Sequence, residues 1–156
     1  MALETTLVLV KPDGVQRGLV GTILARFEAR GFQVVGLKLI VPPKALLEQH
    51  YGAHKDKPFY PGLVAFMGSG PVVALALRGL KAIDVVRKMM GKTNAAEAEP
   101  GTIRGDLGLS RSFNMIHGSD SADSAAKELA LWFKPGEILA YDLVRMQQVI
   151  DMREEG

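Results

Sequence analysis

The sequence contains no cysteine, which excludes a disulfide framework, a cysteine-based zinc site and thiol catalysis. It has no tract rich in lysine and arginine, and its net charge is only +2, so we expect no dedicated nucleic-acid surface. Its apolar runs are too short to span a bilayer, and no basic region leads into an apolar stretch near residue 1. These features predict a cytoplasmic protein without a membrane segment.

The size and composition favour one folded unit. The chain has 156 residues, of which 47% are hydrophobic and 23% are charged. That apolar fraction is enough to form a core in a domain of this size. The charges are spread along the chain without a long block of one sign, unlike those of a disordered tail. We therefore predict a single domain over 1–156.

The apolar pattern predicts strands and helices in alternation. Short runs of apolar and β-branched residues are typical of strands, and spacings of three and four residues are typical of helices. The predicted strands are 7–10, 32–41, 72–77 and 113–117, and the predicted helices are 19–27, 45–51, one just after Pro61, 82–89 and 122–133. Between them lie a turn at 11–14 and a glycine helix cap at Gly31.

This order indicates an α/β protein, but it leaves two architectures open. A doubly wound parallel sheet and a ferredoxin-like βαββαβ sandwich both fit the pattern. Residues 91–112 show no sustained period. Irregular segments of this length in a compact domain are more often functional than idle.

The segment from Asn114 to Asp120 is the most unusual in the chain. It places His117 at the end of a predicted strand, followed by glycine and then by helix-capping residues. A helix N-terminus favours anions, and an imidazole nitrogen accepts a phosphoryl group near neutral pH. A lone histidine of this kind is more often an ordinary strand-end residue, so its surroundings decide between the two interpretations.

Several residues that suit phosphate chemistry come from segments near this histidine or from other element ends. Phosphoryl transfer depends mainly on positioning and on cations around the moving oxygens. The candidates are Lys11, Arg87, Thr93 and Arg104. A lysine or arginine at the end of a helix or strand usually only faces solvent, so none of these cations indicates a phosphate site by itself. Glu128 either orients the imidazole of His117 or is an exposed helix residue.

Three other features carry no function on sequence grounds. Gly91-Lys92-Thr93 looks like the end of a phosphate-binding P-loop, but the required first glycine is missing and the triplet follows a predicted helix. His50 and His54 have a spacing that suits metal binding, yet no carboxylate motif supports a site, so polar surface is the favoured interpretation. Trp132 lies in an apolar stripe and is predicted to be core.

With these residues assembled, the sequence resembles the nucleoside diphosphate kinase family from Thr6 to about Phe133. The resemblance is highly specific because five separate motifs match. They are residues 9–15, the pair Tyr51 and His54, residues 91–94, residues 100–106 and residues 114–120.

The resemblance implies a ferredoxin-like βαββαβ fold with a four-stranded antiparallel sheet and added helices. It also implies transfer of the γ-phosphate of a nucleoside triphosphate to a nucleoside diphosphate, by a ping-pong mechanism through a phosphohistidine at His117. Glu128 matches the carboxylate that orients this histidine, and Phe59 and Leu63 match the pair that sandwiches the base. The family's phosphate and ribose contacts match Lys11, Tyr51, Arg87, Thr93, Arg104 and Asn114.

The same resemblance implies Mg²⁺ carried in by the nucleotide phosphates, with no metal site of the protein's own. It implies a homo-oligomer, for which a hexamer is favoured over a tetramer, with a C-terminal extension at 134–156 packed at subunit contacts. Three residues depart from the family pattern without removing a catalytic group: Ala95, Leu107 and Arg111.

Two questions remain for the structure. Strict alternation along the last predicted strand puts Asn114 and His117 on opposite faces, so the strand must twist or end between them. The competing function is a catalytically idle ferredoxin-like module that binds nucleotides or regulates. Such a module would be expected to lose His117 or one of its cations, and here the whole set is present.

Overall fold

The computed structural model describes residues 3–154, which form a four-stranded sheet with helices on both faces. The strands are β1 (Leu3–Val10), β2 (Gln33–Ile40), β3 (Val72–Leu80) and β4 (Ile116–Gly118). The helices are α1 (Pro12–Gln16), α2 (Val20–Arg30), α3 (Lys44–His50), α4 (Tyr60–Met67), α5 (Ala82–Met90), α6 (Ile103–Leu107) and α7 (Ala122–Trp132). Short 3₁₀ turns occur at Gly52–His54, Ala95–Glu97 and Val144–Gln148.

The sheet topology decides between the two predicted architectures. The strand order is β2-β3-β1-β4, and each neighbouring pair is antiparallel. Helix α2 connects β1 to β2, and α5 connects β3 to β4. A doubly wound fold requires parallel strands. The observed arrangement is the ferredoxin-like βαββαβ fold with added helices, as the resemblance implied.

Strand β1 is buried on both faces, which explains its continuous apolar run. Val8 and Val10 belong to one core cluster, which α2 and α5 cover. Leu7 and Leu9 belong to a second cluster on the opposite face, covered by α3, α4 and α7. Antiparallel sheets commonly leave one face to solvent. Here the added helices cover the second face, and β1 lies at the centre of both cores.

The remaining boundaries agree with the sequence pattern to within a few residues. Gly31 is the left-handed C-cap of α2, with φ of 112°, as predicted. The predicted turn at 11–14 is instead the start of α1, because Pro12 occupies the first helical position, where a missing N–H costs nothing. Gly91 caps the end of α5, which confirms that the following Lys92-Thr93 is not part of a P-loop.

The last strand was predicted to begin three residues too early and to end one residue too early. It spans Ile116–Gly118 and not 113–117, because Met115 has a left-handed backbone with φ of 67° that breaks the extended chain. Phe113 is accordingly exposed. Because Asn114 precedes the break, strand alternation does not apply to it, and this removes the conflict between Asn114 and His117.

The irregular stretch 91–112 is held by local side-chain caps rather than by an apolar stripe. Asn94 accepts a hydrogen bond from the Ala96 N–H at 3.2 Å. Thr102 caps α6 by accepting from the Gly105 N–H at 2.9 Å. Such caps satisfy the free N–H groups of short helical turns. The segment is therefore ordered although it lacks helical periodicity.

The C-terminal segment packs on its own chain. The Leu139 N–H donates to the Val35 carbonyl at 2.8 Å, and Gln33 Nε2 donates to the Tyr141 carbonyl at 2.6 Å. Ile150 is buried. Packing of 134–156 between subunits stays a prediction. Within 3–154, none of the helices is both long and apolar enough to cross a membrane.

Candidate active site

His117 lies in the middle of β4, opposite Leu9 of the central strand. Its Nε2 atom is 2.6 Å from Oε1 of Glu128, which lies in α7. An ionised carboxylate only accepts hydrogen bonds, so Nε2 carries the proton and Nδ1 keeps its lone pair. The tautomer is thus assigned from the hydrogen bond. Of the two predicted roles for Glu128, the structure favours orientation of the imidazole.

Ser119 holds the carboxylate in turn. Its buried hydroxyl donates to Oε1 of Glu128 at 3.0 Å. Sequence reasoning grouped Ser119 with helix-capping residues, but Ser121 provides the N-cap of α7 by accepting from the Ser124 N–H. Burial alone would raise the pKa of Glu128, but its hydrogen bonds with His117 and Ser119 and the histidine charges outweigh burial and keep that pKa below its ordinary value.

The second part of the site joins Lys11, which directly follows β1, to Asn114. Lys11 Nζ donates to Asn114 Oδ1 at 2.9 Å, and Asn114 Nδ2 donates to the Thr93 carbonyl at 2.9 Å. These contacts bring together three predicted site residues that are far apart in the sequence. The backbone supports them, since the Lys11 N–H donates to the Met115 carbonyl at 2.8 Å.

Lys11 has an unusual electrostatic environment. Burial, followed by repulsion from the Arg104 guanidinium, lowers the pKa of Lys11 to about 8, although the nearby Asp13 carboxylate opposes the shift. Below that pH the ammonium form dominates, and above it the neutral amine dominates. A bound phosphate would stabilise the charged form.

We expect kcat/KM for a nucleoside triphosphate to fall as pH rises above about 8, because free-enzyme Lys11 then loses its positive charge. The corresponding fall in kcat lies at higher pH, since bound phosphate holds the proton on Lys11. A Lys11→Arg variant keeps its charge throughout this range, so its profile lacks the alkaline fall although its rate is lower. A wild-type kcat/KM that stays flat to roughly pH 9.5 would contradict this assignment.

Arg104, in α6, is almost fully buried, at 6% exposure. Its guanidinium donates to three backbone carbonyls: Gly91 at 3.1 Å, Asn114 at 3.3 Å and Ile116 at 2.6 Å. A guanidinium has five N–H groups, so two remain for a ligand. Burial, followed by repulsion from Arg87, lowers the pKa of Arg104 to about 10. The residue thus has a structural role that the sequence did not reveal.

Arg87 approaches the same region from α5. Its Nη1 atom donates to the Gly118 carbonyl, next to His117, at 3.2 Å. The charges of Arg87 and Arg104 repel each other, which is evident in the lowered pKa of Arg104. Mutual repulsion between neighbouring cations favours an anion between them. The predicted cations therefore converge on the segment that carries His117.

The remaining predicted residues lie on the α3–α4 side. The Tyr51 hydroxyl is buried and has no hydrogen-bond partner among residues 3–154. Burial, followed by the charge of Glu128, raises the pKa of Tyr51. Phe59 is exposed at the start of α4, and Leu63 is one turn further along that helix. Base binding by this pair stays a prediction.

His50 was predicted to lie on polar surface, and that prediction is wrong. Its ring lies edge-on to the ring of His117, with centroids 4.7 Å apart, and its Nδ1 accepts from Trp132 Nε1 at 3.0 Å. The signal was present in the sequence, because His50 follows Leu46 and Leu47 at helical spacing on the apolar side of α3. Trp132 itself is core, as predicted.

One group of residues in 3–154 has donor atoms close enough for a metal: His50, His117 and Glu128 lie within 4.8 Å of one another. The Trp132 N–H occupies the lone pair of His50 Nδ1, so neutral His50 carries its proton on Nε2 and has no lone pair to offer. The carboxylate is already engaged by two donors. This group does not fit a resident metal ion.

Fold and site together describe an α/β protein in which a carboxylate orients an imidazole and several cations contact the same segment. The family model for nucleoside diphosphate kinase matches residues 4–138. Enzymes of that name from a Cyanothece species and from Carboxydothermus hydrogenoformans are 55% and 56% identical to this chain over 140 residues, which is 90% of this chain and 94% of each relative.

Solved structures agree with these matches. A halophilic nucleoside diphosphate kinase from Halobacterium salinarum, in complex with CDP, superposes with a TM-score of 0.93 at 46% identity, covering 96% of this chain and 99% of the other. A family member from Babesia bovis gives a TM-score of 0.92 at 43% identity, covering 94% and 99%. The chain belongs to the nucleoside diphosphate kinase family, and its activity is that of a phosphotransferase.

Proposed function

We propose that the chain transfers the γ-phosphate of a nucleoside triphosphate to a nucleoside diphosphate through a phosphoryl group carried on Nδ1 of His117. The observation that carries this proposal is the 2.6 Å contact between His117 Nε2 and Glu128, which leaves Nδ1 as the nitrogen with a free lone pair. An idle binding module gains nothing from such an oriented nucleophile, and the relatives give that alternative no support.

In the first half-reaction the Nδ1 lone pair attacks the γ-phosphorus, and the bond from that phosphorus to the β–γ bridging oxygen breaks. The nucleoside diphosphate leaves with the electron pair. The ring becomes a phosphorylated imidazolium, whose positive charge the Glu128 carboxylate stabilises through Nε2–H. In the second half-reaction a terminal oxygen of another diphosphate attacks the phosphorus, and the P–Nδ1 bond breaks.

The proposed phosphate contacts follow from the positions of the cations. Lys11, Arg87 and the two free N–H groups of Arg104 neutralise the charge on the moving phosphoryl oxygens. Tyr51, Thr93 and Asn114 provide hydrogen-bonding groups for phosphate and ribose. Mg²⁺ enters as part of the nucleotide substrate, bound to its phosphate oxygens.

Phe59 and Leu63 are proposed to hold the base by stacking and apolar contact. Each base has a π face, so such contacts tolerate all of them. Exposure of 53% leaves the Phe59 ring free to meet a base. The proposed substrates are therefore nucleoside di- and triphosphates in general rather than one nucleotide.

We propose further that the protein is cytoplasmic and forms a homo-oligomer, a hexamer rather than a tetramer, with 134–156 at subunit contacts. An exposed apolar row on edge strand β2 supports assembly. Its members are Leu37, Leu39 and Val41, the last just beyond the strand, and each is more than half exposed. Exposed apolar rows on edge strands are pairing surfaces.

The test of the mechanism is direct labelling. When the protein is mixed with Mg²⁺ and γ-labelled ATP, we expect one acid-labile and base-stable label per chain, because a phosphoramidate bond hydrolyses in acid. Adding any nucleoside diphosphate should then discharge the label as the triphosphate. An acid-stable label, or rapid exchange without a labelled intermediate, would contradict the proposal.

A further inference from the structure

We propose that His50 and Trp132 form a positioning pair: the Trp132 indole fixes the ring of His50, and that ring holds the imidazole of His117 in its phosphoryl-accepting orientation. The proposal rests on the proposed function of His117. It assigns a role to two residues that do not themselves touch the transferred group.

Helix α7 provides a hydrogen-bond partner for each of the two histidines. Glu128 and Trp132 are four residues apart on α7, and side chains at that spacing lie on the same face. Glu128 accepts from His117 at 2.6 Å, and Trp132 donates to His50 at 3.0 Å. The two imidazoles, from β4 and α3, then contact each other. The four groups form a continuous chain from Trp132 through His50 and His117 to Glu128.

The ring contacts hold His50 from three directions. The centroid of the His50 ring is 4.7 Å from that of His117, 5.6 Å from that of Trp132 and 4.6 Å from that of Tyr51. The corresponding angles between the ring planes are 75°, 88° and 90°. Edge-to-face packing of this kind is the favoured geometry for aromatic rings. With Nε2 bound to Glu128 and one edge or face against His50, the ring of His117 has little freedom to rotate.

The indole also fixes the protonation state of His50. An indole N–H only donates, so Nδ1 of His50 keeps a lone pair and Nε2 carries the proton. Burial, followed by the charge of His117, lowers the pKa of His50 to about 3, with Lys11 acting in the same direction and Glu128 opposing. His50 is thus a neutral spacer that adds no positive charge beside the imidazolium formed during transfer.

The expected effect is on rate rather than on affinity. A misplacement of about 1 Å in a reacting group costs up to roughly 100-fold in rate. We therefore expect His50→Ala to slow the single-turnover phosphorylation of His117 by about 10- to 100-fold, with little change in the nucleotide KM. Trp132→Phe keeps an aromatic ring at this position but removes the N–H donor, so its rate loss should be smaller than that of His50→Ala. Gln49→Ala, at the exposed neighbour of His50 in α3, is the matched control.

The experiment combines rapid-quench kinetics with ¹⁵N NMR of the histidine rings. The wild type should show a single Nε2–H tautomer for both His50 and His117. In Trp132→Phe the His50 signals should shift toward a tautomer mixture. In His50→Ala the Nε2–H tautomer of His117 should persist, because Glu128 still accepts from Nε2, but its ring signals should broaden as the ring gains freedom to move. A purely structural role would lower the melting temperature without broadening the His117 signals in the folded protein.

Two outcomes separate this inference from the proposed function. If wild-type His117 is labelled and a folded His50→Ala variant is phosphorylated at the wild-type rate, the positioning role is wrong and the function stands. If His117 of the wild type takes up no label, the function itself is wrong. Unchanged ¹⁵N signals of His50 in Trp132→Phe would overturn the part assigned to the indole.

Discussion

A His117→Ala variant should form no phosphoenzyme, and its exchange activity should fall by at least about three orders of magnitude. The substitution removes the nitrogen that carries the phosphoryl group, and none of the neighbouring side chains that the structure describes is an equivalent nucleophile at that position. Binding of a nucleoside diphosphate should persist, because Lys11, Arg87 and Arg104 are intact. The measurement is label incorporation from γ-labelled ATP alongside steady-state exchange.

The control for this variant is its fold. His117 contributes one side-chain hydrogen bond and is 23% exposed in its side chain, so its loss should cost little stability. Thermal melting should therefore remain close to that of the wild type. Exchange at the wild-type rate in a folded His117→Ala protein would mean that another group carries the phosphate or that none does.

An Arg104→Met variant should lose both activity and stability. The buried guanidinium bonds the Gly91, Asn114 and Ile116 carbonyls. The bonds to Asn114 and Ile116 are buried, and the bond to Gly91 is partly buried. Each buried acceptor left unpaired costs about 1–3 kcal/mol, so the total should be at least about 2 kcal/mol. For a domain of this size that is a fall in melting temperature of roughly 4–8 °C. Calorimetry or urea unfolding measures the loss, and exchange assays below the melting range measure activity.

Arg87→Met is the matched control for the structural part of this prediction. Arg87 is exposed and bonds one carbonyl, that of Gly118. Its removal should slow exchange through the lost positive charge while changing stability by about 1 kcal/mol or less. Equal stability losses in the two variants would show that the three-carbonyl arrangement around Arg104 does not stabilise the fold.

The fold was predictable wherever apolar periodicity is strong. Helices α2, α5 and α7 and the central strands follow their stripes to within a few residues. Strand β4 was misplaced because its start depends on Met115, whose left-handed backbone is held by the Lys11 N–H and the Asp13 carboxylate from the other end of the domain. Periodicity contains no information about such distant contacts.

The site was predictable as a set of residues but not as an arrangement. The resemblance named His117, its cations and Glu128 as the carboxylate that orients the histidine, whereas the residues alone left the role of Glu128 open, and the arrangement depends on its contact with Nε2. Arg104 was expected to bind phosphate, and its three backbone contacts depend on a loop without periodic pattern. His50 was misassigned because it was considered together with His54, four residues away. Such a pair suggests a metal site or a solvent-exposed helix face, and nothing in it indicates contact with the ring of His117.

The most direct test of the mechanism is to determine which atom of the phosphoenzyme bears the phosphorus. Correlated ³¹P and ¹⁵N NMR on protein labelled at the histidine rings, supported by peptide mapping at alkaline pH, locates the phosphoryl group. We expect it on Nδ1 of His117, with Nε2 protonated toward Glu128. Phosphate on Nε2, on His50 or on a serine such as Ser119 would contradict the mechanism, whatever the overall exchange rate.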